Sequence, residues 1–206
     1  MMNKPYIFIT RKLPSHIIDS IIQDAHVSMW EKEDVPVPRE VLLEEASKAD
    51  ALLTMLSDKI DEELLNNAPH LKIVANLAVG YDNIDIRVAA ERNITVCNTP
   101  DILTDTTADL TFSLLLATAR RIVESAEYIK AGKWTSWSPY LLAGTDVHHK
   151  TLGIVGMGKI GQAVAKRAKG FDMEVLYHNR SRHTDAEQQL GVTYQSFDDL
   201  LTKSDY

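Results

Sequence analysis

The residues of this chain that are spaced for chemistry concentrate in TLGIVGMGKIGQAVAKRAKGFDMEVLYHNRSR, residues 151–182. Gly156, Gly158 and Gly161 follow a short apolar run, Leu152 to Val155, and lead directly into a helical pattern carried by Ile160, Val164, Ala165 and Ala168. At this spacing the first glycine allows a tight turn, the second lets backbone approach a pyrophosphate, and the third lets helix pack closely on strand. The helix start then offers unpaired amides and a positive dipole end to phosphates. Lys159 stands at that start, where a cation is normally unfavourable, and makes better sense opposite a pyrophosphate. Glycine turns without a ligand are common. Here a second strand pattern, Glu174 to His178, also falls where a dinucleotide fold requires it.

The turn after that second strand selects the dinucleotide. An NAD site wants a carboxylate there for the adenosine ribose hydroxyls. The chain instead has Asn179, Arg180, Ser181 and Arg182, with Glu174 and Asp185 as the nearest acids. Arginines pair with a 2′-phosphate that a carboxylate would repel, and Asn and Ser donate hydrogen bonds. A unit-charge pair at about 4 Å is worth ~1 kcal/mol in water and ~4 kcal/mol at a surface-like dielectric. NADP(H) is therefore expected over NAD(H), the alternative being a solvated basic turn.

A second candidate is LAVGYDNID, residues 77–85, placed after an apolar strand pattern, where open α/β sheets bind ligands. Val79 and Gly80 could present backbone amides to a small carboxylate. Taken alone, this segment reads more simply as a glycine turn followed by an Asp or Asn helix cap.

These sites need positioning elements, and the first hundred residues alternate strand and helix patterns. Strands are expected at Tyr6 to Thr10, Val27 to Trp30, Ala51 to Leu56, Leu71 to Ala78 and Ile94 to Val96. Helices are expected at Pro14 to Ala25, around Val41 to Ala46, after a cap at Asp58, and from near Asn83. Repeated β-α-β units imply a parallel, doubly wound α/β sheet. Thr104 to Ala131 reads as one long connecting helix stopped at Gly132, followed by a loop with Trp134, Trp137 and Pro139. Beyond His178 a helix near Ala186 to Leu190, a strand Val192 to Gln195 and a helix Phe197 to Lys203 follow, with Ser204 to Tyr206 approaching another strand. The division expected is residues 1–100, a connecting segment 101–145, and 146–206 as the first half of a nucleotide-binding domain.

Composition sets outer bounds. At 45% hydrophobic and 25% charged the chain is an ordinary globular one. Its net charge of −7 argues against a nucleic-acid surface. That excess lies in residues 1–150, since residues 151–206 hold seven basic and seven acidic residues. One cysteine, Cys97, excludes an internal disulfide, favours a reducing, cytoplasmic setting, and looks like part of a buried strand. The longest apolar run, around Leu110 to Ala119, is too short to span a bilayer. His148-His149 lacks the Cys or acid cluster a metal site needs, so no metal is expected.

NLAVGYDNID, NTPDILTDTTADLTFSLLLATARR, GKWTSW and GIVGMGKIGQAVAKRAKGF occur together and in order. In this the chain resembles the D-isomer-specific 2-hydroxyacid dehydrogenases, most closely their glyoxylate/hydroxypyruvate reductase branch. The resemblance implies a flavodoxin-like substrate domain, a Rossmann nucleotide domain and a homodimer. It also implies that Val79 and Gly80 grip the carboxylate of a small 2-keto or 2-hydroxy acid. Gly158, Lys159 and Ile160 would form the pyrophosphate turn, Arg180 to Arg182 the 2′-phosphate pocket, and Thr107 a position near the nicotinamide. Trp137 matches a residue reaching the neighbouring subunit's substrate site, although a core or interface anchor fits it equally. The family's substrate-orienting arginine and its histidine-glutamate proton donor lie on segments beyond the point matching Tyr206. None of the seven histidines matches a catalytic position, and the 206 residues are expected to lack the catalytic apparatus. Rival readings are a non-catalytic dinucleotide-binding interaction module and an NAD-linked phosphoglycerate or formate dehydrogenase relative.

Overall fold

A computed structural model describes residues 4–206. The chain divides into two compact units, one ending at Ile102 and the other beginning at Leu103.

In the first unit five parallel strands run β1 (Tyr6–Ile9), β2 (His26–Met29), β3 (Ala51–Met55), β4 (Ile73–Leu77) and β5 (Thr95–Cys97). Their spatial order is β2-β1-β3-β4-β5, the flavodoxin-like arrangement, with the order reversing between β1 and β3. Four helices connect them: α1 (Ser15–Ile22), α2 (Arg39–Ala46), α3 (Glu62–Asn66) and α4 (Ile86–Glu91). Phe8, Leu52, Val74, Leu64, Leu65 and Val88 meet in one core. Each such aliphatic side chain contributes about 1.5–3 kcal/mol by leaving water.

Local chemistry sets the element ends, in places against expectation. Asp61, not Asp58, caps α3 by accepting from the Leu64 amide at 3.1 Å. Asp58 is instead buried and bonded to Thr10 and to the Met55 amide. α4 begins after Asp85, whose carboxylate takes the Val88 amide, so Asn83 lies outside the helix. Cys97 is exposed, because β5 is an edge strand, and the expectation of a buried cysteine fails.

The second unit contains α5 (Thr104–Ala119), α6 (Ile122–Lys130), β6 (Thr151–Val155), α7 (Lys159–Ala168), β7 (Glu174–His178), α8 (Thr184–Leu190), β8 (Thr193–Tyr194) and α9 (Phe197–Lys203). The expected single helix from 104 to 131 is broken at Arg121, which adopts φ 52°. Gly144 and Thr145 meet the end of α5 at the break. The Thr145 amide donates to the Ala119 carbonyl at 2.9 Å, and a Cβ on Gly144 would collide with that same carbonyl. The expected stop at Gly132 is present, with φ 65°. α5 is no bare connector: Ala108, Phe112 and Ala119 belong to this unit's core, Phe112 meets Phe171 at 5.0 Å, and Arg167 of α7 binds Asp105 and Asp109.

β6, β7 and β8 are parallel neighbours, Thr151 to Val155 facing Glu174 to His178. The opposite edge of β6 meets residues 205 and 206: Gly153 N–H donates to the Tyr206 carbonyl at 2.9 Å, and Asp205 N–H to Thr151 at 2.9 Å. Among the described residues no helix is long and apolar enough to cross a membrane.

Candidate functional site

In the second unit the three glycines of the turn have three different structural reasons. Gly156 sits at φ +101°, a conformation that L side chains rarely adopt, and its amide is anchored on the His178 carbonyl at 2.8 Å. Gly158 caps α7 with open space where a Cβ would be, so a ligand can approach its backbone. A Cβ on Gly161 would collide with the Gly156 carbonyl oxygen. No side chain caps α7, and the amides of Ile160 and Gly161 meet no acceptor among the described residues. Lys159 is exposed on the same turn. Met157, fully buried, pins the loop from below, and its carbonyl takes the Gln162 amide group at 3.1 Å. A cleft of about 380 Å³ opens beside the turn, with Phe112, Leu115, Ile154, Gly156 and Gly161 in its walls.

The basic turn lies where β7 ends, with Asn179 half-buried and Arg180, Ser181 and Arg182 exposed. Its electrostatics differ from the sequence expectation, since α8 brings in an acid. Arg182 Nε and Nη2 donate to Glu187 at 2.8 and 2.7 Å. Glu187 also accepts from the fully buried Tyr177 hydroxyl at 2.7 Å, and that oxygen takes the His183 amide at 2.7 Å. Hydrogen bonds from Arg182 and Tyr177 hold the Glu187 carboxyl down at about 2. Arg180 forms no ion pair among the described residues. His178 does not line the turn: its Nδ1 lies 3.0 Å from the Gln195 carbonyl and its ring packs on Tyr194 and Phe197. His183 lies 3.4 Å from the Gln162 side chain. Thr107 is half-buried on the first turns of α5, its amide on Leu103 and its carbonyl on the Thr111 hydroxyl. Trp137 is 78% exposed, in a loop shared with exposed Trp134 and Tyr140.

In the first unit Val79 and Gly80, the residues expected to hold a substrate carboxylate, lie just past the carboxyl end of β4. Both carbonyls are occupied: Val79's accepts from Asn98 Nδ2 at 2.7 Å and Gly80's from Asn76 Nδ2 at 3.0 Å. Their amides meet no acceptor among the described residues, with Val79 half-buried and Gly80 exposed, so two adjacent donors are left unused. A Cβ on Gly80 would meet only Asp82 at 3.8 Å, so the fold itself does not demand glycine there. Beneath the loop is a buried polar network that the sequence reading did not identify. The Thr54 hydroxyl donates to Asn76 Oδ1 at 3.0 Å, and Asn76 Nδ2 donates to Asn83 Oδ1 at 3.0 Å. Asn83 Nδ2 then reaches the Met55 and Asp58 carbonyls at 3.2 and 2.9 Å, and Asp58 binds Thr10. Thr10, Thr54 and Asn76 each lie at or next to the carboxyl end of an otherwise apolar strand. That recurrence was the available signal, because buried polar groups persist only when hydrogen-bonded.

The fold agrees with that of known proteins the chain resembles. The pattern of the D-isomer specific 2-hydroxyacid dehydrogenase catalytic domain matches residues 7–196. A glyoxylate reductase from Pyrococcus horikoshii is 50% identical over 209 residues, covering 98% of this chain and 62% of the relative. The crystal structure of the TT0316 protein from Thermus thermophilus superposes with TM-score 0.87 at 41% identity, covering 97% of this chain and 62% of that one. D-lactate dehydrogenase from Aquifex aeolicus, solved with NAD and lactic acid, superposes with TM-score 0.80 at 27% identity, over 97% and 58% of the two chains. The chain thus spans about three fifths of the length of the proteins it matches. A family pattern that spans most of the chain and relatives about half identical over nearly all of it show that the chain belongs to the D-isomer-specific 2-hydroxyacid dehydrogenase family.

Proposed function

We propose that the protein takes part in the NADP(H)-dependent reduction of a small 2-keto acid, of the glyoxylate or hydroxypyruvate class, to its D-2-hydroxy acid. The observation that carries this reading is the pair of amides at Val79 and Gly80 that meet no acceptor among the described residues, with both carbonyls tied back and a braced network below. Two adjacent donors suit a substrate carboxylate, and amides that are already aligned lose little entropy on binding it.

A bound nicotinamide dinucleotide supplies the hydride. For it, the Ile160 and Gly161 amides and Gly158 suit the pyrophosphate, with Lys159 adding charge nearby. Arg180, Ser181 and Asn179 suit a 2′-phosphate, with Arg182 behind them. Thr107 is assigned to the nicotinamide side. No residue of the chain is assigned as the proton donor to the product alkoxide.

Two observations favour a second reading, NAD use: Arg182 is already paired with Glu187, and the Aquifex aeolicus relative was solved with NAD. Parallel assays of glyoxylate and hydroxypyruvate reduction with NADPH and with NADH test both. Faster turnover per unit KM with NADPH supports the first reading, and the reverse order overturns it. A homodimer, with exposed Trp134, Trp137 and Tyr140 at its contact, and a cytoplasmic setting, supported by the lone Cys97, complete the proposal.

A further inference from the structure

The basic turn holds two arginines of unequal standing. Arg182 spends its Nε–H and one Nη2–H on Glu187, whose carboxylate is gripped from behind by Tyr177. Tyr177 is fully buried, and its oxygen also carries the His183 amide. Glu187 therefore cannot swing away without stranding a buried hydroxyl, which costs more than a surface ion pair returns. Arg180 has no such counter-charge among the described residues. An incoming phosphate meets a full positive charge at Arg180 and a neutralised pair at Arg182.

We propose that Glu187 is a specificity-determining residue: by occupying Arg182 it limits the preference for NADP(H) over NAD(H) and leaves Arg180 as the principal 2′-phosphate cation. The inference rests on the dinucleotide reading above. Glu187 does not touch the phosphate itself. It acts through Arg182, and its own ionisation persists at neutral pH because Arg182 and Tyr177 hold its carboxyl down at about 2.

The test is direct titration of the protein with NADPH and NADH, for wild type, R180A, R182A, E187Q and the E187Q/R182A double variant. Gln at 187 keeps an acceptor for Tyr177, and thermal unfolding checks that the fold is retained. E187Q should bind NADPH about 3- to 10-fold more tightly, with NADH changed less than about 2-fold, because Arg182, relieved of its counter-charge, becomes available to the phosphate. R180A should cost about 10- to 100-fold in NADPH affinity, as loss of a charge-assisted bond does, and R182A less than about 3-fold. In the double variant the gain should vanish, since Glu187 acts through Arg182. E187Q that leaves NADPH affinity unchanged or weakens it, or R182A that costs as much as R180A, overturns the proposal. A wild type that binds NADH but not NADPH overturns instead the NADP(H) reading beneath it, and one that binds neither overturns the dinucleotide reading as well.

Discussion

Gly161 and Gly80 look alike in sequence and have opposite constraints in the fold. A methyl group at Gly161 would strike the Gly156 carbonyl, whereas one at Gly80 would find ordinary contact distance. Gly161→Ala is therefore expected to destabilise the protein by about 1–3 kcal/mol, read by denaturant unfolding, and to abolish dinucleotide binding. Gly80→Ala should change stability by less than about 0.5 kcal/mol yet raise KM for the keto acid about 10-fold or more, because the added methyl stands where a carboxylate would approach. An unchanged KM would overturn the proposed place of Gly80 in the substrate site. At this scale the glycine turn was legible because each glycine answers a local geometric demand at fixed spacing. Glu187 was not: its meeting with Arg182, five residues earlier, depends on how the turn into α8 folds back and on the buried Tyr177 hydroxyl that holds Glu187.

Among elements, α3 shows how an ion pair and a cap combine. Burial alone would raise the Asp61 carboxyl, but Arg39, the Leu64 amide and Lys59 outweigh it and hold it at about 2. Its folded value lies below the unfolded one, so its contribution is complete above about pH 4 and lost as pH falls towards 2. Wild type should exceed D61N in stability by about 1–2 kcal/mol at neutral pH, allowing for solvent screening, and that gap should close in acid. A gap independent of pH would show that the ion pair contributes nothing. The buried network makes a second prediction: Asn76→Ala strands Thr54, Asn83 and the Gly80 carbonyl. A loss of about 1–3 kcal/mol is expected, with KM raised more than kcat is lowered. Most elements were legible to within a few residues from their apolar periodicity. The break at Arg121 was not, since Ala119 to Val123 carries no stop signal and the Ala119 carbonyl is met there by Gly144 and Thr145, distant in sequence.

For the whole molecule, alternating β-α patterns and the two loop motifs were enough to anticipate two parallel, doubly wound sheets. The attachment of α5 to the second unit was hidden, because a helix pattern names its apolar face but not the partner that covers it. The remaining exposed apolar surface argues for association. Trp137, Tyr140 and Trp134 are 78%, 89% and 57% exposed in one loop, far more than a solitary chain usually leaves in water. Sedimentation should give twice the chain mass, and Trp137→Ala should shift the equilibrium towards single chains. A wild type that remains single at micromolar concentration would refute the dimer.

The backbone pairing on the outer edge of β6 bears on how the chain is made. Thr151 and Asp205 are joined although 54 residues separate them, so β6 is synthesised well before its second edge can be occupied. During that interval the nascent strand presents unsatisfied N–H and C=O groups on one side, and cannot take its final register until the segment after α9 has left the ribosome. Amide protection in β6 should accordingly arise late in translation, and ribosome-bound chains stalled short of residue 205 should be markedly more prone to aggregate than chains released beyond it.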